Sequence, residues 1–344
     1  MQKDELYMQR CIDLAKIGMG YVAPNPMVGA VIVLDDKIIG EGAHLKYGEA
    51  HAEVNAVNSV VDKELLCKAT IYVSLEPCAH FGKTAPCADL LVASKFKRVV
   101  IGCRDSFSEV SGKGIQKLLD AGIEVVVGVL EDECRELNKR FFTFHEKKRP
   151  YIVLKWAQTL DGFVDKVRQK EEQKINWISA PETKVLVHTW RAQEQAILVG
   201  KITVLNDNPS LTVREVTGKN PIRIVLDSYL TLKQGNAIFN EEADTIVFNL
   251  SKSDEYCNCR WIKVEEMNVS TILSELHKLN VQSVIIEGGV QTIQSFIDAE
   301  MWDEARVIVG DSFFKEGLKA PVLAKIPSHS FSFFTDKIYH YSNL

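Results

Sequence analysis

His51-Ala52-Glu53 and, further along, Pro77-Cys78 and Pro86-Cys87 place an imidazole, two thiols and a carboxyl in one stretch of the chain. One imidazole and two thiolates can hold Zn²⁺ and leave its fourth tetrahedral position to water, the pattern of a catalytic site rather than a closed structural one. Coordination brings the pKa of that water to around 7, so hydroxide is available at neutral pH to attack a ring carbon bearing an amino group. Such an attack needs a proton carrier. Glu53, two residues from the ligand His51, is placed to take the water proton and pass it to the ring nitrogen and the departing ammonia. These residue types point to hydrolytic deamination, with Glu53 catalytic and His51, Cys78 and Cys87 on the metal. Both ligand segments read as helix starts, His51 before Glu53 to Val57 and Cys78 after the strand-like Thr70 to Leu75, where a helix terminus favours thiolate.

Cys11, Cys67, Cys103 and Cys134 read instead as small buried hydrophobes. Cys78 and Cys87 differ because each follows a Pro, in a loop bearing Gly82 and Thr84, downstream of the His-x-Glu. A structural zinc holding a non-catalytic module is the competing reading. It requires a fourth ligand, for which His80 is the nearby candidate. His44, on the loop before His51, is read as a substrate contact at the mouth of the metal pocket.

The elements that must position these groups follow from composition and periodicity. With 344 residues, 46% hydrophobic and 25% charged, the chain is long enough for two domains with separate cores. A net charge of -5, with acidic residues also slightly in excess over the first 147 positions, disfavours nucleic acid as a partner. The N-terminus carries no apolar signal core, and no apolar run approaches the ~18 residues of a membrane span. Eight cysteines without a dense framework fit a reducing cytoplasm. Cys257-Asn258-Cys259 has no accompanying pair and reads as incidental.

Apolar periodicity predicts a helix from Asp4 to Gly18, a strand from Val28 to Leu34, and a turn at Asp35-Asp36 into a partner strand. A helix after Cys87, a strand at Arg98 to Gly102, then a helix, a strand and a single helix from Glu131 to Phe142 imply a sheet covered on both faces. The charged run His145 to Pro150 marks a boundary, giving domains 1–147 and 148–344. Beyond it, strands are expected at 151–157, 196–200, 222–226, 245–248 and 283–286. Ser179-Ala180-Pro181-Glu182 resembles a capping box opening a helix through Arg191. Glu287-Gly288-Gly289, between a strand and the helix from Val290 to Ile297, is an arrangement whose exposed amides and helix start suit a phosphate. It is not a Gly-x-Gly-x-x-Gly fingerprint, so a Rossmann domain is not supported.

Nearly end to end, the sequence resembles the bifunctional deaminase-reductases of riboflavin biosynthesis. The first half carries Pro24-Asn25-Pro26-x-Val28-Gly29, His44 through Glu53, and Pro77-Cys78-x-His80-x-Gly82-Lys83-Thr84-x-Pro86-Cys87. The second carries Leu154-Lys155-x-Ala157-x-x-Leu160-Asp161-Gly162, Trp177-Ile178-Ser179, His188-x-x-Arg191-Ala192, Gly200 through Arg214, Leu226-Asp227-Ser228 and Glu287-Gly288-Gly289. The resemblance implies an α/β chain, with a cytidine-deaminase-like three-layer α/β/α sandwich followed by a dihydrofolate-reductase-like domain. It implies zinc-dependent removal of the C2 amino group of 2,5-diamino-6-(5-phosphoribosylamino)pyrimidin-4-one, then NADPH-dependent reduction of ribosyl to ribityl.

By the same resemblance, Asn25, His44, His80, Lys83 and Asp105 face the first substrate, with Lys83 toward its phosphate. Ala157, Trp177, Thr203, Asp207, Ser228, Gly288 and Gly289 touch NADPH, and Arg191, Leu211, Arg214 and Glu287 hold the second substrate. A small-molecule enzyme that self-associates, with no nucleic acid or membrane partner, is implied. A tRNA or nucleoside deaminase fused to a separate reductase is the rival enzyme reading, disfavoured by the acidic first half and the wide Cys78 to Cys87 spacing. Two positions depart from the family. Asp105-Ser106-Phe107-Ser108 keeps only the Asp of Asp-Pro-Asn-Pro, and Ile175 stands where a small polar residue often precedes the Trp. No residue of the second half stands out as a general acid.

Overall fold

Gly29–Leu34 (β1) and Lys37–Ala43 (β2) form a hairpin whose turn residues, Asp35 and Asp36, both take positive φ (47° and 62°), as a two-residue hairpin turn requires. The structure is a computed structural model and describes residues 3–79, 85–106, 112–168 and 175–343. The chain divides into two compact units, Met1–Lys147 and Lys148–Leu344.

In the first unit, β3 (Thr70–Leu75) lies antiparallel to β1, while β4 (Arg98–Cys103) and β5 (Glu124–Val127) continue in parallel, giving the order β2-β1-β3-β4-β5. β1, β3 and β4 are almost unbroken apolar runs because both faces of the sheet are covered. On one face α2 (Ala52–Ser59), α3 (Cys87–Ala93) and α4 (Lys113–Asp120) pack Ala56, Leu91 and Leu118 on Ile32, Ile71 and Ile101. On the other, α1 (Lys3–Ala15), α5 (Glu131–Leu137) and α6 (Lys139–Lys147) pack Met8, Cys134 and Phe141 on Val31 and Val100. This is the expected three-layer sandwich.

Two local expectations are corrected. The single helix expected at Glu131 to Phe142 is broken at Asn138, whose side chain accepts from the Met27 N–H and donates to the Met27 carbonyl, both at 2.8 Å. α6 then runs through the charged stretch to Lys147. Cys11, Cys103 and Cys134 are fully buried, but Cys67 is exposed.

The second unit is built on a ten-stranded sheet. Its strands are β6 (Tyr151–Gln158), β8 (Ala196–Gly200), β9 (Ile222–Leu226), β10 (Thr245–Asn249), β11 (Asp254–Tyr256), β12 (Cys259–Lys263), β13 (Ser283–Gly288), β14 (Glu304–Val309), β16 (His329–Phe333) and β17 (Asp336–Ser342). β7 (Phe163–Asp165) and β15 (Leu318–Lys319) form a separate small pair. Helices α7 (Thr183–Gln193), α8 (Lys201–Asp207), α9 (Val269–Lys278) and α10 (Val290–Asp298) connect the strands. Buried clusters lie on both faces, one holding Leu154, Leu198 and Phe296, the other Val153, Trp190 and Ile197.

The strand order is β11-β12-β10-β9-β8-β13-β6-β14-β17-β16, with β12 through β14 mutually parallel. After β8 the chain passes through α8 to β9 on one side; after β13 it passes through α10 to β14 on the other. Neighbouring strands whose connections diverge open a crevice at their carboxyl ends, where open α/β sheets take ligands. α7 has no side-chain cap from the expected Ser179 box. Instead Asp336 at the start of β17 accepts from the Ala180 N–H (2.9 Å) and the Thr183 hydroxyl (2.5 Å). Among the described residues, no helix is long and apolar enough to cross a membrane.

Candidate active sites

His51 is the residue on which α2 begins, with extended backbone (φ -73°, ψ 164°). The helix lies so close to β2 that a Cβ at Gly42 would sit 2.3 Å from the Ala56 nitrogen. That close packing fixes where His51 and Glu53 emerge. Cys87 is the first residue of α3, whereas Cys78 lies in the loop before it, contrary to the expected helix start at Cys78. His51 Nδ1 faces both sulfurs, 3.7 Å from Cys78 Sγ and 3.3 Å from Cys87 Sγ. The Cys87 backbone N–H donates to Cys78 Sγ at 3.3 Å. Zn–S bonds of about 2.3 Å and a Zn–N bond of about 2.0 Å at tetrahedral angles separate ligand atoms by roughly 3.5–3.8 Å. The three ligand atoms here lie within 4.8 Å of one another, so the set fits zinc.

Within the cluster Cys78 is the first thiol to ionise. The hydrogen bond from Cys87, aided by His51, lowers it well below the usual thiol value, while Cys87 is pushed up by keeping the shared proton and by burial. Glu53 is 3% exposed and stands outside the ligand set. Burial, and then the Cys78 thiolate, raise its carboxyl to about 7.

His44, also buried, lies edge-on to His51 with ring centroids 5.3 Å apart. Its Nδ1 is 3.0 Å from the Ala50 carbonyl, which can only accept, so the proton sits on Nδ1 and Nε2 accepts from Asn25 Nδ2 at 3.2 Å. Burial lowers the His44 pKa and favours this neutral form. Asp105, 7% exposed, follows β4, and its N–H donates to Glu76 Oε2 at 3.3 Å. His80, Lys83 and the departure at Phe107 lie outside the described residues.

In the second unit the crevice edge gathers Ala157 near the end of β6, Thr203 on α8, Ser228 after β9, and Glu287-Gly288-Gly289 at β13. Thr203 Oγ1 lies 3.0 Å from where a Cβ on Gly288 would be, so α8 and the paired glycines meet. Glu287 is gripped by Arg191 through two bonds of 2.8 and 2.7 Å and contacts Lys155 Nζ at 3.4 Å. Lys155 has no role assigned from its motif; its signal in the sequence is a lysine amid the apolar neighbours of β6. His188 Nδ1 accepts the Arg214 N–H at 2.9 Å, and burial followed by Arg191 and Arg214 lowers its pKa to about 4.

Three expected ligand contacts are set differently from a free side chain. Leu211 points into the core at 3% exposure. Asp207 bonds Arg168 at 2.6 Å, and that arginine also holds Asp165 at 2.6 Å. Trp177 is exposed, with Lys184 Nζ 4.0 Å above its ring.

Burial alone would raise the Glu287 carboxyl, but the charges of Arg191 and then Lys155 outweigh it and hold the pKa at about 2. Because the folded carboxyl has the lower pKa, its stabilisation is present in full above the ordinary value near 4.5 and is lost as pH falls toward 2. The loss amounts to at most about 3 kcal/mol. All five tryptophans lie in this unit, so urea midpoints followed by their fluorescence report on it. The midpoint is expected to fall between pH 4.5 and 2, with a shallower fall in Glu287→Gln. Parallel pH profiles would exclude this origin.

Residues 1–103 match the family model of the cytidine and deoxycytidylate deaminase zinc-binding region, and residues 150–314 that of the RibD C-terminal domain. The chain is 42% identical over 322 residues to riboflavin biosynthesis protein RibD of Aquifex aeolicus, covering 92% of this chain and 89% of that one. It is similar to a crystal structure of a diaminohydroxyphosphoribosylaminopyrimidine deaminase/5-amino-6-(5-phosphoribosylamino)uracil reductase from Thermotoga maritima. That likeness has a TM-score of 0.87 and 38% identity over 98% of both chains. Acinetobacter baumannii RibD gives a TM-score of 0.88 at 32% identity, again over 98% of both chains.

Proposed function

Because the chain belongs to the RibD family, a zinc-dependent deaminase joined to an NADPH-dependent reductase of riboflavin biosynthesis, we propose residue roles for both reactions. We assign deamination of 2,5-diamino-6-(5-phosphoribosylamino)pyrimidin-4-one to residues 1–147 and reduction of the ribosyl group to residues 148–344. The reading rests on the cluster of His51, Cys78 and Cys87 beside the buried Glu53.

Zinc, when held by His51 Nδ1 and the two sulfurs, lowers the pKa of water enough to make hydroxide available at neutral pH. Glu53 carries one proton from the attacking water to the ring nitrogen, and then carries the remaining proton of the added hydroxyl to the leaving amine. Neutral His44, fixed by Asn25 and the Ala50 carbonyl, lines the ring's pocket, and Asp105 faces the substrate from the end of β4.

NADPH supplies a hydride for the sugar C1 in its opened, imine-like form. Thr203 and the Gly288-Gly289 turn position the cofactor, with Ala157, Trp177, Ser228 and the Arg168-braced Asp207 completing its contacts. Arg191, Arg214 and the Leu211 backbone orient the sugar phosphate. Lys155, its pKa lowered by burial despite Glu287, is the residue we assign to donate the proton that accompanies reduction. The eight unbridged cysteines support a reducing, cytoplasmic setting.

The test supplies purified protein with the phosphorylated diaminopyrimidine, with and without NADPH, and follows ammonia and cofactor absorbance together. Removing zinc with a chelator is expected to abolish ammonia release while leaving reduction of the deaminated intermediate intact. Ammonia from free cytidine or tRNA adenosine, with none from the phosphoribosyl pyrimidine, would overturn the assignment.

A further inference from the structure

Glu76 stands between the end of β3 and Cys78, and its carboxylate is turned into the protein with 3% exposure. Its partners among the described residues are all backbone amides. Oε1 accepts from the N–H groups of Gly114 (3.1 Å) and Ile115 (3.3 Å), and Oε2 from those of Asp105 (3.3 Å) and Gly112 (3.1 Å). A buried carboxylate is tolerated only when its oxygens are well supplied with donors. Here three of the four donors belong to the start of α4, whose helix dipole also favours negative charge.

We propose that Glu76 is a positioning residue of the deaminase site, fixing the Cys78 turn and Asp105 together against the first turn of α4. The inference rests on the deaminase reading above. Glu76 donates its own N–H to the Cys103 carbonyl at 3.0 Å, so one residue joins the ends of β3 and β4 to α4. The next residue is pressed equally close, since a Cβ at Gly114 would sit 2.0 Å from the Pro77 carbonyl oxygen. On its far side the turn is held by α3. The Ala88 N–H donates to the Cys78 carbonyl at 3.1 Å, and the Cys87 N–H donates to its sulfur at 3.3 Å. Cys78 therefore sits on a short span anchored to two helices, and Glu76 is the α4 anchor. The same carboxylate bonds the backbone of Asp105, tying a metal ligand and a substrate-facing residue to one support.

Glu76→Gln keeps the shape but turns an amide NH₂ toward two N–H donors, so one half of the anchor must open. In the zinc-loaded full-length enzyme, zinc release to a chelator is expected to accelerate about 10–100-fold, with a comparable fall in the kcat of deamination. The ligand-field bands of cobalt-substituted enzyme should shift, and reduction should proceed at the parent rate. Lower thermal stability with unchanged zinc release and cobalt spectrum would make Glu76 a stabilising residue only and overturn the proposal. Should Glu76→Gln not fold, the milder Glu76→Asp, one methylene short of the α4 amides, carries the same comparison; parent-like zinc release there overturns it equally. A parent protein that holds no zinc would sink the deaminase reading itself, whereas zinc-holding parent and variants that behave alike sink only the role of Glu76.

Discussion

Glu53→Gln is expected to lower the deamination rate by about 10²–10⁴-fold, the usual contribution of a placed proton carrier, while zinc content and NADPH oxidation by the deaminated intermediate stay at parent values. The substitution is isosteric and removes an ionisable group from a site only 3% exposed, so it relieves a desolvation cost and the fold should hold. His51, Cys78 and Cys87 can hold a metal ion without Glu53, which is why metal retention separates this outcome from general collapse. Ammonia release with bound zinc counted by metal analysis decides the matter. An unaffected rate would remove Glu53 from the mechanism, and loss of zinc in step with activity would make it a structural support of the cluster.

The second large effect is expected at Lys155. Lys155→Met keeps the length and apolar stem of the side chain but cannot donate a proton. Glu287 still holds its two bonds to Arg191, so the buried carboxylate is not stranded. Reduction should fall by about 10²–10⁴-fold with ammonia release unchanged. In the parent, the alkaline limb of the reduction rate should lie below the ordinary lysine value of 10.5, since burial disfavours the charged amine more than Glu287 favours it. The variant should lose that limb. A Lys155→Met enzyme that reduces at the parent rate would return the proton-donor role to an unassigned group.

The parts legible in the sequence were those coded by short-range pattern or rare residue types. β3, β8 and β9 fall where their apolar runs predict because strands covered on both faces carry little polar interruption. The proposed metal ligands stand out because two cysteines that each follow a proline, downstream of a His-x-Glu, are an uncommon combination in one stretch. What escaped depends on contacts between distant segments. Lys155, Arg191 and Glu287 come from β6, α7 and β13 and meet only through the sheet order. α7 is capped from β17, which no local capping box reveals. The β16–β17 hairpin itself was not anticipated, since β16 is largely exposed and carries no continuous apolar run.

The hydrogen bonds by which Asn138 clasps the backbone of Met27 bear on where the gene can be cut. A truncated product ending after β4 would retain Glu53 and all three proposed zinc ligands, yet it would release the segment that carries Asn25, two positions from the clasp. The shortest fragment able to deaminate on its own must therefore extend past residue 138, an endpoint set by a single amide side chain rather than by the last residue to meet substrate.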